Sequence, residues 1–101
     1  MSLKAAFIFL SPQADPAKDK SIVKTPDVEL HVIACKNYEE ACKISKQLLE
    51  ENFAAIELCG GFGNIGAAVV TKAIDNKIPV GVVRFDIHPG LNNKSGDNLF
   101  I

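Results

Sequence analysis

Ile56-Glu57-Leu58-Cys59-Gly60-Gly61-Phe62-Gly63-Asn64-Ile65-Gly66-Ala67-Ala68 runs from an apolar stretch through a glycine-rich turn into a series of small and branched apolar residues. That succession reads as strand, tight turn, helix. Gly61, Gly63 and Gly66 fit G-x-G-x-x-G, the spacing at which a strand-to-helix turn lets a phosphate lie against the main chain. Glycine tolerates positive φ and, lacking a Cβ, lets another group approach the backbone. The first amides of the following helix have no acceptor inside it and sit at the positive end of its dipole, where anions are attracted. The same glycines also suit a joint between a buried strand and a close-packed helix, with no ligand at all. Asp86 follows Gly66 at about the twenty-residue offset where a dinucleotide fold carries its ribose-binding carboxylate.

Downstream, Gly66 to Lys77 forms a helix with Ala67, Val70, Ala73 and Ile74 on its buried side, and Asn76 is placed to end it. Ile78 to Ile87 (IPVGVVRFDI) then reads as a strand, with Pro79 at its start, where no ladder donor is needed. Upstream, Phe53 to Cys59 is the strand that feeds the glycine turn. Before it, Asn37 and Glu40 make an Asn-x-x-Glu variant of the capping box. Tyr38, Ala41, Cys42, Ser45, Leu48 and Leu49 recur at helical spacing behind it, and Asn52 tolerates the left-handed conformation that ends a helix.

Val28 to Cys35 (VELHVIAC) is a strand with Leu30, Val32 and Ala34 on one face and His31, Ile33 and Cys35 on the other. Lys4 to Ser11 (KAAFIFLS) is apolar enough for a strand buried on both faces. Met1-Ser2-Leu3 adds no structural signal. Residues 12–27, with Pro12, Pro16 and Pro26, hold no period and read as a long loop in which Ile22-Val23 is the one candidate for a short edge strand. Residues 88–101 form a C-terminal tail, its Leu99-Phe100-Ile101 end free to dock on its own domain or on a neighbour. Two consecutive βαβ crossovers result. The expected fold is α/β: a single domain over residues 1–101, a two-layer or three-layer sandwich with a mostly parallel four-stranded sheet in the order β-loop-β-α-β-α-β.

Composition narrows the function classes. Of 101 residues, 11 are basic and 12 acidic, a net charge of −1, so there is no electrostatic footprint for a nucleic acid polymer. The longest apolar run is far below the roughly 18 residues of a membrane span. Cys35, Cys42 and Cys59 are an odd set without C-x-x-C spacing, which speaks against a disulfide framework or a zinc cluster and for a reducing, cytoplasmic setting. At 101 residues the chain is shorter than a two-half dinucleotide domain, so a complete site of that kind needs a second subunit.

Ligands of open parallel sheets bind beyond the carboxyl ends of the strands. The residues expected there are Gly60, Gly61, Phe62, Gly63, Asn64 and Gly66 of the turn, with Glu57, Arg84 and Asp86 from the strand ends. Glu57 and Arg84 pair if their strands are neighbours. Cys59, just before a helix start, is a candidate nucleophile with His88 as its base; Asp86 and His88 alone supply too few ligands for a metal. His31 reads as a hydrogen-bonded structural histidine.

With ELCGGFG, an Ala- and Val-rich helix, then PVGVVRFD and HPG, the chain resembles a family of small uncharacterised bacterial proteins classed only as a domain of unknown function. The resemblance spans Ala5 to Gly90, and it implies neither an activity nor a cofactor. Locally the turn is similar to a Rossmann fingerprint, although it follows the third strand rather than the first. Three roles remain from the sequence. The leading one is a homodimer that binds a small anionic metabolite or nucleotide at Gly60 to Gly66; the others are a non-catalytic oligomeric interaction module with a structural glycine loop, and a thiol-dependent enzyme using Cys59.

Overall fold

The computed structural model describes residues 2–101; Met1 lies outside the described residues. Five strands and two helices follow one another as β1 (Leu3–Leu10), β2 (Lys20–Lys24), β3 (Val28–Cys35), α1 (Tyr38–Glu50), β4 (Ala55–Leu58), α2 (Asn64–Ala73) and β5 (Val80–Val82). They form one sheet of order β2-β3-β1-β4-β5. All neighbours are parallel except β2, which runs antiparallel along β3.

The strand order decides the layering. From β3 the chain crosses β1 to reach β4 and continues the same way to β5, and two right-handed crossovers made in one direction leave both helices on one side of the sheet. Tyr38, Ala41 and Leu48 of α1 and Val70 of α2 accordingly share one core with Ala6, Ile8, Ile33, Ile56 and Leu58 of the sheet. The sandwich has two layers. In a parallel pair, partners in register point to the same side, so β1 gives Ala6 and Ile8 to the helices and turns Phe7 and Phe9 the other way.

The sheet corrects the four-stranded expectation. Residues 20–24 pair fully with Glu29–Ile33, and Thr25 closes the turn by accepting the amides of Asp27 and Val28 on its Oγ1. Charged at both ends and exposed throughout, Lys-Ser-Ile-Val-Lys has no core face to give it a period; its pairing along β3 makes it a strand. At the other edge, β5 is three residues long instead of the ten from Ile78 to Ile87. Among the described residues its only partner is the four-residue β4, so the ladder has nothing to extend along beyond Val83, whose amide donates to Leu58. The second helix spans Asn64–Ala73 rather than Gly66 to Lys77, since Asp75 and Asn76 both take left-handed conformations after Ile74.

The first helix follows its sequence signals. Asn37 caps it, its Oδ1 accepting the Glu40 amide at 2.9 Å, while Glu40 reaches back to the amide of Lys36, one residue before the cap. Asn52 ends it at φ 64°. Leu30, Val32 and Ala34 share one face of β3, and His31, Ile33 and Cys35 the other, as alternation requires. The tail forms two single 3-10 turns, Pro89–Leu91 and Gly96–Asn98, and returns Phe100 to the core, leaving Leu99 and Ile101 exposed.

Candidate functional site

The glycine turn lies at the carboxyl end of β4, and its position is set by the ladder: Cys59 donates its amide to Ile8 of β1, the last tie before the chain turns. None of the described glycines has a positive φ. Their use here is therefore close approach rather than unusual backbone angles. A methyl group on Gly60 would collide with the Phe85 ring, on Gly63 with the Asp97 carboxyl, and on Gly66 with the Tyr38 ring. From the opposite side, Gly96 presses on the Gly61 carbonyl. The groups that the bare backbone admits belong to the protein itself.

Asp97 is the centre of this arrangement. The N-cap position of α2 is Gly63, which has no side chain to offer the helix. Asp97 supplies the missing acceptor from the tail, taking the Ile65 amide on Oδ2 at 3.0 Å and the Gly66 amide on Oδ1 at 3.1 Å. These are the second and third amides of α2, the ones an N-cap side chain normally satisfies. Oδ1 also accepts the Tyr38 hydroxyl at 2.6 Å, and that hydroxyl in turn accepts the Gly63 amide at 3.0 Å. Ser95 fixes the tail locally by accepting the Asp97 amide on Oγ. Tyr38 stacks on Phe62 and leans on Phe100, so the polar knot sits on an aromatic floor.

The electrostatics agree with the geometry. Burial raises the Asp97 pKa, but the hydrogen bonds from Tyr38, Ile65 and Gly66 outweigh it and hold the carboxyl below its ordinary value. Burial, together with donation to Asp97, pushes the Tyr38 hydroxyl above the usual phenol range, against the opposing Gly63 amide. Two further turn amides are used within the loop: Gly61 donates to the Cys59 sulfur at 3.3 Å and Phe62 to the Cys59 carbonyl. The negative partner expected at the start of α2 is thus present, as a side chain of the same chain.

The other site residues spread outward. Arg84 lines a groove of about 170 Å³ beside the turn, together with Phe62, Gly63, Asn64 and Phe85. Its guanidinium pairs with Asp86 at 2.8 Å, both exposed, which replaces the expected Glu57–Arg84 pair. Glu57 stands on the sheet face turned away from the helices, beside Gly81. His88 accepts the Gly90 amide on Nδ1 at 2.9 Å and packs against Phe85, so its acceptor nitrogen is engaged in its own turn rather than with Cys59.

Elsewhere, a wider groove of about 500 Å³ runs between β2 and α1 over Ile22, Ile33 and Phe53. His31 lies in its wall, held by Glu29 at 2.7 Å and edge-on to Phe53. It has the hydrogen-bonded role read from the sequence. Cys35 is fully buried, its thiol pushed up to about 12 by burial and then by Glu40, which leaves it no nucleophilic use.

Sequence reasoning missed Tyr38 and Asp97. Tyr38 is legible only as a core position of α1, and Asp97 only as part of the C-terminal tail; no local pattern links either to a loop some thirty residues away in the chain.

The chain belongs to the family described as a family of unknown function (DUF6506), whose model matches residues 3–98. No curated protein and no solved structure matches it.

Proposed function

We propose that the protein is a non-catalytic interaction module whose glycine loop is a structural joint. The observation that carries this reading is the Asp97 carboxylate on the Ile65 and Gly66 amides, where a bound anion would otherwise sit. The fit of Phe85, Tyr38 and Gly96 against the loop glycines supports the same role. The joint ties the tail to α1 and α2 and so fixes the carboxyl end of the sheet.

Thermal-shift measurements against phosphate, nucleoside mono- and diphosphates and small carboxylates test the reading. No shift is expected with any of them. A concentration-dependent rise of several degrees, lost in Arg84→Ala, would instead establish the second reading, a small anionic metabolite in the Arg84 groove beside Gly63 and Asn64. Thiol catalysis has less support, since the Cys59 sulfur accepts the Gly61 amide and His88 turns to Gly90.

A further inference from the structure

Deepening that reading, and resting on it, we infer that the sheet face turned away from the helices packs against the same face of a second copy of this chain. By register this face carries Phe7 and Phe9 of β1, Leu30 and Val32 of β3, and the small residues Ala5 and Ala34 between them. Phe7, Phe9, Leu30 and Val32 are only half-buried and take no part in the core. Among the described strand residues on this side Glu57 is the single charge, so neither an acidic nor a basic partner finds a complement here.

Size fits a small, reversible contact. At ~3.3 Å per residue and ~4.8 Å per strand, the eight-residue β1 and β3 with the five-residue β2 and the four-residue β4 beside them present roughly 400 Å² per copy, or about 800 Å² counted on both. A contiguous apolar patch of a few hundred Å² is about the limit for a monomer, and a contact somewhat below ~1,000 Å² is the size of a weak, reversible interface.

Shape argues for a copy of itself. On this face β1 carries its small residue at one end and β3 at the other: Ala5 lies beside Leu30, and Phe9 beside Ala34. A two-fold axis parallel to the strands and midway between β1 and β3 lays β1 of each copy over β3 of the other. Phe9 then meets Ala34, and Leu30 meets Ala5, in aligned face-to-face packing. The same operation sets Glu57 over Ser21, a hydroxyl able to donate to it, instead of over another Glu57.

Sedimentation velocity and multi-angle light scattering on the full chain from about 1 to 100 µM test the inference. The wild type is expected to rise toward twice the 10.9 kDa chain mass across that range. Phe7→Lys, and independently Val23→Lys on the exposed edge strand of the same face, should each weaken association at least tenfold with unchanged circular dichroism. Val82→Lys, an equally exposed apolar site on the helix side, should leave it unchanged. Should Phe7→Lys fail to fold, Val23→Lys decides. A monomeric wild type, or an oligomer indifferent to the folded face variants, overturns the inference. Neither result produces a thermal shift with anions, so failure of the dimer and failure of the structural-joint reading are told apart.

Discussion

Replacing Asp97 with alanine removes one carboxylate and three hydrogen bonds at once: the caps on Ile65 and Gly66 and the acceptor of the Tyr38 hydroxyl. Loss of a helix N-cap costs about 1 kcal/mol. Loss of a hydrogen bond from a hydroxyl to a charged acceptor adds about 1.5–3 kcal/mol. The groups share one carboxylate and do not add fully, so the expected destabilisation is roughly 2–4 kcal/mol. Asp97→Asn keeps an acceptor oxygen for only one of the two amides and loses the charge at the helix start, but should cost less than alanine, about 1–2 kcal/mol. Urea unfolding of the three proteins measures the order. Hydrogen exchange supplies the local test: the Ile65 and Gly66 amides should lose most of their protection in Asp97→Ala, while Ile56 in the centre of β4 exchanges only with the global stability. A change below about 0.5 kcal/mol with Ile65 and Gly66 still protected would refute the assignment of Asp97 as the cap of α2.

The same knot predicts the response to pH. Asp97 has a depressed folded-state pKa, so its contribution is fully present above the ordinary carboxylate value near 3.9 and is lost as pH falls through the folded value; Asp97→Asn should flatten the acid limb of stability against pH. Tyr38 has a raised pKa, so its contribution is complete below about 10 and is lost as pH rises through the folded value; Tyr38→Phe should flatten the alkaline limb in the same urea titrations. Gly96→Ala, whose methyl would run into the Gly61 carbonyl, should destabilise by at least about 1–3 kcal/mol, and its thermal midpoint should fall well below that of Gly81→Ala, where only the flexible Glu57 side chain is near. Thiol titration of the native protein should leave Cys35 unreacted on the time scale that labels the part-exposed Cys42 and Cys59; equal labelling of all three would contradict its burial.

Much of the fold is legible in the sequence because it is written in local terms. Asn37 and Asn52 bound α1 through side-chain chemistry and a left-handed conformation that need no distant partner. The face assignment of Val28–Cys35 follows from alternation alone. The edges of the sheet are less legible, because an edge strand is defined by what it pairs with. Lys20–Lys24 becomes a strand along β3, and the apolar run after Ile78 stops pairing where β4 ends. No periodicity inside either segment carries that information.

The glycine loop divides the same way. Its sequence determined that a strand turns into a helix there and that something approaches the bare backbone, because absent side chains leave room. What approaches was decided only by tertiary structure. The tail brings Asp97 to the amides of α2, and α1 brings the Tyr38 ring against Gly66. Likewise the sequence supplied the apolar positions of β1 and β3, but the strand order put both helices on one side and left Phe7, Phe9, Leu30 and Val32 without a layer above them. Spacing along a chain records which side of an element a residue takes; it does not record which distant segment arrives there, since that depends on crossover direction and on contacts between residues far apart in sequence.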